Sequence, residues 1–125
     1  MIRKYDYGDL TEKVIAACFE VHRSLGPGFP ERIYLNALKI MLEKQEMKYE
    51  TEKEFLVKFQ DTLVSKFRID LLIEDKVIVE IKSIEGKLPK VFESQVISYL
   101  KASGLKVGLL VNFGSTSCQI CRLMV

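Results

Sequence analysis

A single histidine, His22, excludes a histidine-rich metal centre and completes no catalytic triad with the partners this chain provides. Near the end of a helix it is better explained as a packed or capping residue, with Glu20 close enough to support it. Three cysteines, Cys18, Cys118 and Cys121, are an odd number in a chain without an export signal, so a disulfide framework is not expected and the thiols should be reduced. Cys118-x-x-Cys121 has no second such pair and no nearby histidine, and strand alternation would point its two thiols to opposite faces, so it does not suit zinc. No apolar run approaches the roughly 18 residues of a membrane span, and Met1–Asp6 lacks the apolar centre of a signal peptide. A cytoplasmic protein with no membrane partner is expected. Glycine-rich phosphate loops, a nucleophile elbow and a zinc-protease helix are all missing, as are internal repeats, low-complexity segments and linkers. Neither sign of charge dominates: 19 Lys and Arg against 17 Asp and Glu leave a net +2, which alone points to no nucleic-acid partner. Between Lys82 and Lys106 five lysines outnumber two glutamates, a surplus that a solvated helix face explains as well as a phosphate-binding one.

What is present fits one domain spanning residues 1–125 around one modest core. Asp9-Leu10-Thr11-Glu12 has capping-box spacing and predicts a first helix from about Thr11 to Leu25, stopped by Gly26-Pro27-Gly28. Pro30 suits the first position of a second helix, whose stripe of Ile33, Tyr34, Ala37, Leu38, Met41 and Leu42 continues to about Lys44. The period then falls to about two, predicting a strand over Tyr49–Phe59, a turn at Gln60-Asp61-Thr62 and a further hairpin. Past Gly86 and Pro89, helical spacing runs from Val91 to Leu100 and closes at Gly104. Lys106–Val111 and Cys118–Val125 complete the chain as strands. The order ααβββαββ describes an α/β sandwich with a central mixed β-sheet flanked by helices, in which a right-handed crossover makes the third and fourth strands parallel neighbours.

The stretch from Phe67 to Lys82 carries the chemistry. With Glu74-Asp75-Lys76 as the loop, Ile73 pairs with Val77, Leu71 with Val79, Asp70 with Glu80 and Ile69 with Ile81. Alternation then places Ile69, Leu71, Ile73, Val77, Val79 and Ile81 on one face and Asp70, Glu80 and Lys82 on the other. Opposed residues have Cβ atoms about 4.5–5.5 Å apart, close enough for two carboxylates to share a divalent cation. Carboxylates suit hard cations such as Mg²⁺, and a lysine beside them can place a water or neutralise developing charge. A solvent-facing hairpin with alternating charges explains an isolated Glu-x-Lys equally well. Gln95 and Tyr99, four apart, share a helix face and can both donate to phosphate oxygens, although a half-buried tyrosine with glutamine at its edge is the plainer account. Glu31 and Tyr34 stand at the start of the second helix, where a carboxylate is favoured by the helix dipole.

With these residues in view, the chain resembles the GxxExxY family of the PD-(D/E)XK nuclease superfamily. The naming motif stands as Gly28-Phe29-Pro30-Glu31-Arg32-Ile33-Tyr34, preceded by Val21-His22-Arg23-Ser24-Leu25-Gly26-Pro27, and the resemblance runs from about Leu10 to the end. It implies a restriction-endonuclease-like fold and a metal-dependent nuclease, hydrolysing nucleic-acid phosphodiester bonds, DNA in the first place. It implies that Asp70, Glu80 and Glu31 hold Mg²⁺ or Mn²⁺ with help from the Ile81 carbonyl. Lys82 is implied as the catalytic lysine, and Gln95 and Tyr99 as the Gln-x-x-x-Tyr pair that positions it or the substrate. The proline of the superfamily's name is absent, Ile69 preceding Asp70, and proline is no ligand. The alternative on the same fold is an inactive nucleic-acid- or protein-binding module. Small size leaves room for a homodimer or a larger assembly.

Overall fold

The computed structural model describes residues 7–125, and the Met1–Asp6 stretch read above for an export signal lies outside them. Among the described residues three helices, α1 (Gly8–Leu25), α2 (Glu31–Lys44) and α3 (Val91–Ser103), accompany five strands, β1 (Tyr49–Phe59), β2 (Thr62–Ile73), β3 (Val77–Lys82), β4 (Val107–Asn112) and β5 (Gln119–Met124). The expected order ααβββαββ is the observed one. The strands lie in sequence order in a single mixed sheet, antiparallel except where α3 carries the chain from β3 to a parallel β4. No described helix is long and apolar enough to cross a membrane.

The central strands are buried on both faces. On one, Val14, Cys18 and Val21 of α1 and Tyr34, Leu38 and Leu42 of α2 pack on Leu71, Ile73, Val77, Val79 and Ile81. On the other, Val96 and Leu100 of α3 pack on Ile69, Leu72, Ile78 and Leu110. This makes the central strands apolar on both sides, as parallel neighbours under helices require. Cys118 and Cys121 join opposite cores, and all three cysteines are free.

Helix ends follow the punctuation only in part. Gly104 closes α3 in the left-handed conformation at φ 79°. Gly26 ends α1, its N–H donating to the His22 carbonyl. The expected capping box does not form: α1 starts at Gly8, its cap Tyr7 makes no side-chain bond, and Asp9 sits within the first turn. Thr11 instead donates its hydroxyl to the Gly8 carbonyl at 3.1 Å. Pro30 precedes α2 as its cap and is not its first helical residue.

The hairpin register is as read for Ile73–Val77, Leu72–Ile78 and Leu71–Val79, but the β2–β3 ladder ends there. Strict alternation fails at the same point. Ile69 belongs to the α3 core whereas Leu71 and Ile73 belong to the α1/α2 core, so Ile69 does not share their face. The partner strand shifts in step: Tyr49 packs against one core and Phe55 against the other, with Glu52, across from Asp70, at a left-handed φ of 54°. Because both strands change face together, β1 and β2 keep one register from Tyr49–Ile73 to Val57–Ser65.

Candidate functional site

Asp70 sits at this change of face. Its Oδ2 accepts the Ile81 N–H at 2.8 Å, taking the place of a ladder bond and turning the carboxylate across to β3. The expected direct Asp70–Glu80 ladder pair is therefore not made, and the two acids meet through their side chains. Glu80, next in β3, is 5% exposed on the α3 side of the sheet. Burial raises its carboxyl to about 9, with the hydrogen-bonded Asp70 carboxylate pushing the same way and Lys82 opposing. Glu80 is thus protonated at neutral pH. Its Oε1 is buried and has no hydrogen-bond partner. A buried carboxylate oxygen left unpaired is costly in a folded chain, and two neighbouring acids offer a hard cation the oxygens it prefers. The donor set fits a divalent ion on that ground.

Lys82 ends β3, pairs with Asn112 of β4 and holds its ammonium 4.4 Å from the centre of the Phe92 ring. Its carbonyl turns to β4 and accepts the Phe113 N–H at 2.9 Å. Successive carbonyls along a strand face opposite edges, and the Ile81 N–H faces Asp70, so the Ile81 carbonyl lies on the Asp70 edge of β3. Glu31 stands at the exposed first turn of α2; partial desolvation and the Asp70 charge raise its carboxyl, opposed by Lys82. Among the described residues no three His, Cys, Asp or Glu side chains form a ready metal cluster, so Glu31 stands at the edge of an acid pair.

Tyr99 of α3 stacks on Phe67 of β2 with ring centres 4.3 Å apart, and Phe67 stacks in turn on Phe55 at 5.4 Å. Desolvation, then the Glu80 and Asp70 carboxyls, raise its phenol, which places it beside the acids. Gln95 lies half-buried one turn earlier on the same helix.

Two residues not named from the sequence as loop ties hold the loops beside the site. Asn112 is fully buried; its Oδ1 accepts the Ile84 and Gly114 N–H groups, and its Nδ2 donates to the Ile84 carbonyl and to Gln119. It fixes the loop that leaves Lys82. The signal was a lone amide closing the wholly apolar run Val107–Val111. Tyr34, also fully buried, donates to the Gly26 carbonyl and accepts the Phe29 N–H at 3.2 Å, with its ring stacked 4.6 Å from Phe113. It clasps the turn that delivers Glu31, and Gly28 takes φ 108° inside that turn, where a side chain is disfavoured. His22 is packed, as expected: it bonds the Ser115 carbonyl through Nε2 at 2.9 Å and stacks near Phe113.

A mixed sheet between helix layers, with Asp-(x)₉-Glu-x-Lys gathered where β2 and β3 part, defines a nuclease-type α/β fold. The chain belongs to the PD-(D/E)XK nuclease superfamily, whose family model it matches over residues 8–123. Its fold is similar to that in the crystal structure of SSO0001, with a TM-score of 0.58 and 22% identity across 75% of this chain. This chain spans 50% of that protein's length. No curated protein matches it.

Proposed function

We propose that the chain, as one domain, is a divalent-metal-dependent nuclease that hydrolyses phosphodiester bonds in DNA. The observation that carries this reading is the unpartnered Oε1 of buried Glu80 beside Asp70 and Lys82. Asp70, Glu80 and the Ile81 carbonyl would hold Mg²⁺ or Mn²⁺, with Glu31 closing the site from α2. When bound, the ion supplies charge stabilisation to the phosphoryl oxygens. Lys82 orients the attacking water and offsets negative charge as it develops. Tyr99 and Gln95 present a phenol and an amide to Lys82 or to a substrate phosphate. Nearby lysines add salt-sensitive affinity for the backbone. The narrower likeness to the GxxExxY family rests on Gly28, Glu31 and Tyr34, and it gives that motif two tasks, carrying an acid and clasping its turn. A cytoplasmic location belongs to the same proposal.

The test incubates purified wild type, Asp70→Ala and Lys82→Ala with single- and double-stranded DNA in Mn²⁺. Wild type should cleave, EDTA should stop it, and Lys82→Ala should lose about 10²- to 10³-fold. Equal cleavage by all three preparations would contradict the assignment. DNA affinity that ignores EDTA, with no Mn²⁺ binding and no cleavage, would favour a binding module.

A further inference from the structure

Three loops meet at the end of the sheet next to Glu31 and Lys82: the α1–α2 turn, the β3–α3 loop and the β4–β5 turn. They enclose a cleft of about 790 Å³, within the size range of small-ligand sites. The loops are cross-tied. Ser83 donates its hydroxyl to the Phe29 carbonyl at 2.6 Å, and Ser115 donates to the Gly86 carbonyl at 2.7 Å. A Cβ on Gly114 would lie 2.6 Å from the Ser83 carbonyl carbon, so the loops approach as closely as a glycine allows. Phe29 therefore stands on a backbone held at both its N–H and its carbonyl, its ring edge-on to Tyr34 at 6.2 Å and 41% exposed. A fixed, exposed aromatic ring in a cleft wall is a stacking platform.

The charge of the cleft narrows its occupant. Among the described residues no lysine or arginine lines it, whereas Glu85 does. A phosphate would meet repulsion there, while the amino edge of a base would meet an acceptor, as carboxylates accept from cytosine N4. The cleft also adjoins the candidate site along the chain on two sides: Pro30 in its wall precedes Glu31, and Ser83 follows Lys82.

We infer that this cleft seats a nucleobase flanking the phosphate held at Asp70 and Glu80, stacked on Phe29, with Glu85 accepting from an exocyclic amino group. The inference rests on the reading of that pair as a phosphodiesterase site. It adds a preference for amino-bearing bases over thymine at one position of the strand.

Binding and cleavage are measured apart. The chain has no tryptophan, so Phe29→Trp installs a single indole in the cleft wall, read apart from the tyrosines by red-edge excitation. With Ca²⁺ in place of Mn²⁺, fluorescein-labelled oligo-dC should bind wild type more tightly than oligo-dT. Phe29→Ala should weaken oligo-dC binding about 5- to 150-fold, the range for loss of one stacked base. Unlabelled oligo-dC should quench the emission of Phe29→Trp. Glu85→Ala should erase the preference for dC over dT while tightening oligo-dT, because it removes both the acceptor and a negative charge. Unchanged affinity in Phe29→Ala together with unchanged emission from Phe29→Trp at saturation would overturn the base site, as would wild type that binds neither oligonucleotide. Base-selective, Phe29-dependent binding without cleavage in Mn²⁺ would leave the base site standing and contradict the nuclease reading. Cleavage of both oligonucleotides by Phe29→Ala at the wild-type rates, with the preference for dC intact, would overturn the base site alone.

Discussion

The Glu80 proton ties stability, cation binding and pH together. Its carboxyl is raised to about 9 in the fold from an ordinary 4.5. Below 4.5 both folded and unfolded chains carry that proton, and burial is neutral to pH. Between 4.5 and 9 only the folded chain keeps it, so folding takes up a proton and stability falls as pH rises. Glu80→Gln keeps the shape without the ionisable group. Its thermal midpoint should exceed that of metal-free wild type by a margin that grows from pH 5 to pH 8; a constant margin would contradict the assigned proton. A cation using Oε1 must displace the proton, so Mn²⁺ affinity in wild type should rise up to about tenfold per pH unit over the same range. Calorimetry in buffers of different ionisation enthalpy reads the released proton.

At the level of elements, the site depends on a pause in β-sheet regularity. Side-chain alternation placed Glu80 and Lys82 on one face of β3 and turn chemistry placed the loop at Glu74–Lys76, because strand period and turn chemistry are local properties. It could not locate the change of face at Asp70, since that depends on a carboxylate reaching the backbone of another strand and on Glu52 accommodating a left-handed φ. Nor could it foresee the failed capping box, where Thr11 satisfies the Gly8 carbonyl and leaves Asp9 in the first turn. Asn112 escaped for the same reason, since it serves the Ile84 backbone far away in sequence; Tyr34 was visible in the apolar stripe of α2, but not that its hydroxyl ties the Gly26 and Phe29 backbone of the preceding turn. Asn112→Ala would leave the Ile84 and Gly114 N–H groups without their acceptor, costing roughly 2–4 kcal/mol in chemical denaturation. Tyr34→Phe keeps the stack on Phe113 and loses only the hydroxyl clasp. A cost of about 1 kcal/mol, with weaker Mn²⁺ binding through a loosened Glu31, is the expected outcome. Unaltered Mn²⁺ affinity would separate the turn from the metal site.

The whole molecule divides into a buried half and an open one. Where β2 to β4 lie between helix layers, aliphatic side chains fill both faces, and Leu71→Ala or Leu109→Ala should cost roughly 2–5 kcal/mol. The outer end of the β1–β2 hairpin has no such cover: Leu56, Phe59, Leu63 and Val64 are exposed, Phe59 at 65%. Phe59→Ser should change stability by no more than about 0.5 kcal/mol. Fold class was readable because the order of periodic segments leaves few ways to cover an apolar sheet. The layering supplied what periodicity could not, since only the path of α3 brings Tyr99 and Gln95 to the side of the sheet where Glu80 and Lys82 point.

Whether half-buried Asp70 and buried Glu80 form a cation site is the central question, and crystals soaked in Mn²⁺ at pH 8 test that most directly. Anomalous density touching Glu80 Oε1 and an Asp70 oxygen, absent in Asp70→Ala crystals, is the predicted result. Mn²⁺ bound elsewhere, with Glu80 still hydrogen-bonded to Asp70, would contradict it.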